Sequence, residues 1–170
     1  MSSYQIYSLL TKGITSSAGV SATNQILKEF HGNIEEDCLL ILEDTAIEEM
    51  EPAYVKDGDT ALQRLQEWPT LGSIEYSMPE ILILVSFKHL PTSNFVSCVK
   101  LSLPTKSFES LDEKNKRHYS QIAAMLHEAL GSARTIMDWG LELGGFSWIE
   151  EIERLKKRVF EGEYSLDLRK

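Results

Sequence analysis

The chain has 170 residues, enough for one hydrophobic core that needs neither disulfide nor metal to fold. Apolar residues at 42% and charged residues at 25% exclude a disordered chain. The net charge of −9, from 26 acids against 17 bases, argues against nucleic acid or an anionic membrane as the main partner, because both are polyanions.

Tyr4, Ile6, Ser8 and Leu10 alternate with their neighbours, a period of two that predicts a strand near residues 3–11. The small residues from Gly13 to Gly19 read as a loop. Ser21 suits an N-cap, Ile26, Leu27 and Phe30 fall at helical spacing, and Gly32 is placed to end that helix. Cys38 to Leu42 is short, apolar and bounded by acids, as in a buried central strand, although a buried helical turn has the same pattern. Ala46 to Glu51 reads as a turn or loop ended by Pro52. Asp59 is the expected cap of a short helix through Ala61, Leu62 and Leu65, which Trp68-Pro69 stops.

Ile74, Tyr76 and Met78 restore the period of two, and Pro79 predicts an edge position or a bulge. Ile81 to Phe87 is a strong strand signal, residues 89–94 read as a hairpin loop, and 95–103 alternate again. Residues 73–103 are therefore most simply an antiparallel meander.

Ser110 to Glu113 fits a capping box, and Ile122, Met125, Leu126, Ala129, Leu130, Ala133, Ile136 and Met137 follow at three- and four-residue steps. Gly131 bends that helix or ends it early. Gly140, Gly144 and Gly145 mark a break, and Ser147 to Glu150 fits a second capping box. The last helix sets Trp148, Ile152, Leu155 and Val159 inward, with Glu150–Arg154 and Glu153–Lys157 as supporting pairs. Lys156-Lys157-Arg158 then complements the helix dipole and requires no nucleic acid. The expected fold class is α+β: one domain over 1–170, an antiparallel sheet of four to five strands with helices packed on it, and a helical C-terminal third.

The charge is uneven. Residues 1–34 and 81–170 each carry a net +1, whereas residues 35–80 hold 13 acids against only Lys56 and Arg64, a net of −11. Two readings fit: a solvated face, or a patch that attracts a basic partner. The candidate partner-binding residues are Glu35, Glu36, Asp37, Glu43, Asp44, Glu48, Glu49, Glu51, Asp57 and Asp59, with Tyr54 and Trp68 as aromatic anchors. Trp139 and Trp148 read instead as core anchors.

Asp57-Gly58-Asp59 lacks the remaining acids of a calcium loop and reads as a turn. His31, His89, His118 and His127 show no zinc-ligand spacing. The sequence thus points to no metal and no cofactor. Cys38 and Cys98 lie in apolar stretches and are expected to be reduced and buried. With no apparent signal segment and no apolar run of membrane length, the expected location is the cytoplasm.

The favoured function is a small acidic interaction protein, of the immunity-protein or antitoxin kind, that neutralises a basic partner such as a toxin enzyme. That expectation is an analogy from class properties. A hydrolase or transferase assembled from Asp44, Asp57, His89, His118 and Asp138 is the alternative, and an accessory subunit of a larger assembly is a third.

Overall fold

The computed structural model describes residues 2–35, 38–43, 53–55, 57–67 and 71–170, with backbone alone at 38, 39, 43, 53–55 and 71. The expected turn at Ala46 to Glu51 and the helix stop at Trp68-Pro69 lie outside these residues. The fold is α+β. Among the described residues eight strands form one antiparallel sheet in the order β3-β2-β4-β5-β6-β1-β7-β8.

The central strand β1 (Ser3–Ile14) runs longer than its alternation implied and pairs with both β6 (Val96–Pro104) and β7 (Arg134–Trp139). Gln5 to Leu10 are all buried, because helices cover both faces of the sheet at this point. The meander expected over residues 73–103 is present as β4 (Leu71–Met78), β5 (Ile81–His89) and β6. Pro79 lies in neither an edge strand nor a bulge: Met78 pairs with Ile81, so Pro79-Glu80 is a two-residue turn. Glu80 takes φ 64°, the left-handed value that a type II turn requires after its proline.

Helix α1 (Ser16–Glu29) begins earlier than expected. Thr15, not Ser21, is its N-cap and accepts from the Ala18 N–H at 3.2 Å. The small residues of 16–20 belong to the helix because Ser16, Gly19 and Val20 are buried, and the Ser16 hydroxyl donates to the Gln66 carbonyl. At the other end His31, at φ 64°, and Gly32 donate their N–H groups to Lys28 and Leu27, closing the last turn.

Strands β2 (Cys38–Glu43) and β3 (Ala53–Val55) form one margin of the sheet, with β2 paired to β4. Helix α2 (Gly58–Gln66) is capped by Asp57 rather than Asp59. A short helix α3 (Thr105–Glu109) follows β6. Helix α4 (Glu113–Leu130) is capped by Asp112, which accepts from Asn115 N–H at 2.7 Å; Ser110 instead closes onto the Lys106 carbonyl of α3. Gly131 stops α4 in the left-handed conformation, at φ 66°. Ala133, Ile136 and Met137 therefore do not continue the helix, and 134–139 pair with β1 as strand β7.

The helical C-terminal third is thus replaced by mixed structure. Only α5 (Trp148–Lys156), capped by Ser147 as expected, is helical after residue 130, and β8 (Leu166–Arg169) pairs with β7. Val159 lies beyond α5 and is exposed. Arg154 pairs with Glu151 and Lys156 with Glu153, three residues apart instead of the expected four.

The inner face of the sheet meets α1, α2 and α4 through a core of Ile6, Leu27, Leu65, Ile74, Val85, Leu101, Ile122 and Leu126. On the outer face a smaller cluster joins Tyr7, Leu9, Cys98 and Ile136 to Ile152 and Leu155 of α5. Arg134 fastens this second layer. It is fully buried, grips Asp167 with two N–H donors at 2.9 and 2.8 Å, and reaches Glu151 at 2.8 Å. It also donates to the carbonyls of Glu161 and Gly162, while Phe160 and Tyr164 lie against its guanidinium. The two-pronged bond to Asp167 holds that carboxyl below its usual range.

Candidate functional site: an acidic margin and an open sheet face

The segment 35–80, where the charge concentrates, supplies β2, β3, α2 and β4. Its described strands lie together at one side of the sheet, and α2 packs against β4, β3 and α1. Glu35 is exposed just before β2. Glu43 lies in β2 opposite Leu71, and Tyr54 lies in β3 opposite Leu39. Asp57 and Asp59 are exposed at the start of α2, but Asp57 also serves its own helix, since its carboxylate accepts from the Asp59 N–H and the Thr60 hydroxyl. Glu36, Asp37, Asp44, Glu48, Glu49, Glu51 and Trp68 lie outside the described residues.

Next to this margin the outer face of the sheet is open. The second layer lies over β1, β6 and β7, and its residues come from α5 and the flanking segments. Of the outward residues of β4 and β5, Ser73 and Ser86 are buried against each other, whereas toward the Pro79-Glu80 turn the face carries no such layer among the described residues. Leu82, the second residue of β5, is 51% exposed beside the Pro79-Glu80 turn, and Leu84 is half-buried. Across the strands, Leu82 sits opposite Ser77, and Leu84 between Glu75 and Ser102. Together with Glu80, Pro104 and Ser107 they line a concavity of about 760 Å³. Its charged lining consists of Glu75 and Glu80 alone, and among the described residues no salt bridge engages either. An exposed apolar concavity on a sheet face makes it a candidate interaction surface. The sequence pattern conceals it because Ile81 to Phe87 is apolar almost throughout and so carries no sign of which face is covered.

A second concavity, of about 550 Å³, lies beneath the start of α5, among Asp138, Trp139, Phe146, Glu150, Arg154 and Tyr164. Trp139 is no core anchor: it is 48% exposed, and its indole N–H donates to Thr105 at 3.1 Å. Trp148 is half-buried against the outer cluster.

The candidate catalytic residues each have a separate neighbour. Asp138 accepts from the Ser165 N–H and hydroxyl, His89 contacts the Leu90 carbonyl, and the His118 ring lies against Phe30. Asp57 caps α2, and Asp44 lies outside the described residues. His127 is a structural histidine. Its Nδ1 meets the Thr135 hydroxyl, which bonds the buried Ser8 and through it Ser132. Burial, with Lys170 adding to it, holds its pKa down.

Cys98 is fully buried, and burial pushes its thiol up to about 12, which leaves it protonated and inert. Among the described residues no group of three His, Cys, Asp or Glu could hold a metal ion. No helix among them is long and apolar enough to cross a membrane.

No family model matches the chain, and no curated protein matches it. Among solved structures it is similar to a T6SS protein of Pseudomonas aeruginosa, with a TM-score of 0.49 and 11% sequence identity. The matched region covers 82% of this chain and 40% of that one, so the chain spans about two fifths of its length.

Proposed function

We propose that the chain is an interaction protein that binds a basic protein partner through residues 35–80, in the manner of an immunity protein or antitoxin that neutralises a cationic toxin enzyme. The observation that carries this reading is the confinement of the negative charge: a net of −11 in that segment, against +1 on either side. Charge concentrated in one segment of a folded domain favours a directional field, which steers a basic partner and raises its association rate. Glu75 of β4 and Glu80 of the following turn bring part of that charge to the open face at Leu82 and Leu84, while α2 carries Asp57 and Asp59 on the inner side of the sheet. Glu75, Ser77 and Glu80 of the same segment line the concavity at Leu82 and Leu84, which favours one composite surface over a separate docking patch of the kind an accessory subunit would carry.

The test is capture of the partner from the source cell, followed by measurement with Glu35→Lys and Asp59→Lys, two exposed positions. A partner with a pI well above neutrality whose on-rate drops several-fold with the double variant fits the proposal. An acidic partner, or an on-rate unchanged by the double variant, contradicts it.

A further inference from the structure

We infer that the open face of β4 and β5 is the apolar centre of the binding surface, and that its occupant is a basic segment of a protein partner that seats an apolar side chain on Leu82 and Leu84. The inference rests on the proposed reading of residues 35–80 and adds a docking point to it. Leu82 is half exposed on a central strand, in a concavity large enough for several side chains. A leucine in that position removes apolar surface from water only when something covers it.

Charge selects the occupant. Glu75 lies opposite Leu84 and Glu80 in the turn before Leu82, lysine and arginine are absent from the lining, and no described salt bridge occupies either carboxylate. An acidic segment would meet repulsion there, and a neutral one would leave the carboxylates to be desolvated without a counterion.

The probe is a synthetic peptide in which leucine alternates with lysine and arginine, titrated into the whole isotope-labelled chain and followed by amide chemical shifts. Two control peptides replace the leucines with serine or the basic residues with glutamate. The expected result is movement of Glu75, Ser77, Leu82, Leu84 and Ser102, with binding weakened about tenfold by Leu82→Asp, since a buried leucine contributes at least that factor. The glutamate peptide should not bind, and the serine peptide should leave the face unmoved.

Leu82→Asp removes an exposed side chain, so its urea midpoint should match the parent and show that the fold is intact. Shifts confined to residues 35–59, with the face silent, would overturn the inference and leave the acidic-margin reading standing. No binding by either basic peptide would overturn both. Self-association of the chain that Leu82→Asp abolishes would assign the face to a second copy and refute the basic occupant.

Discussion

Arg134 is the side chain whose loss should cost the fold most. Arg134→Ala removes a fully buried cation and leaves the Glu151 carboxylate, itself 1% exposed, with Arg154 as its remaining cation. It also removes the donors to Asp167 and to the carbonyls of Glu161 and Gly162. Breaking a buried pair by deleting one partner costs about 3–5 kcal/mol, because the other charge stays desolvated. A domain has only about 5–15 kcal/mol of stability, so the variant should be folded but marginal. With a urea slope of about 2 kcal/mol/M, the midpoint should fall by roughly 1.5–2.5 M. Circular dichroism and tryptophan fluorescence would read that midpoint. Hydrogen exchange should show the amides of Leu166–Arg169 losing protection first, since β8 is held at one edge by β7 and by Asp167. Replacing Arg134 and Glu151 together with methionine should recover part of the loss, because the buried Glu151 charge is then gone, while Asp167 and the Glu161 and Gly162 carbonyls still lack their donors. A loss below about 1 kcal/mol for Arg134→Ala, the range of an exposed pair, would refute the claim that this network fastens the second layer.

Glu80→Gly should raise stability by about 1 kcal/mol, the cost of a left-handed non-glycine residue, read as a higher urea midpoint. Gly72→Ala should destabilise by about 1–3 kcal/mol or prevent folding, because its Cβ would lie 1.9 Å from the Ile41 carbonyl oxygen in the neighbouring strand, and backbone cannot yield there. Stability should also fall with pH in two stages, seen as urea midpoints between pH 8 and pH 3. The first begins near pH 6.5, where the unfolded imidazole takes up a proton that folded His127 resists, and His127→Gln should remove it. The second begins near pH 4, where the unfolded Asp167 carboxyl protonates while Arg134 still holds the folded one ionised.

The meander β4–β5–β6 and the main part of α4 were legible because each is built from a local period, two for the strands and three to four for the helix. Strand β7 was not. Ala133, Ile136 and Met137 continue the helical rhythm of α4, and only the left-handed turn at Gly131 and the waiting hydrogen bonds of β1 turn the chain into the sheet. Strand β8 has four residues, too few for a period to show. Arg134, Glu151 and Asp167 carry no local signature either, since they meet only through the fold. For the candidate surface, charge counting picked out an acidic segment of the sequence, while Leu82 and Leu84 could be picked from their apolar run only once the helices were placed. Asp57 shows that an acid in a charged segment can serve its own helix.

Electrostatic attraction between residues 35–80 and a basic partner is the central claim, and the association rate against ionic strength tests it most directly. Between about 20 mM and 300 mM salt the Debye length shortens from roughly 20 Å to under 10 Å, so the on-rate with the captured partner should fall about tenfold or more while the off-rate changes little. An on-rate that stays flat across that range would contradict the claim.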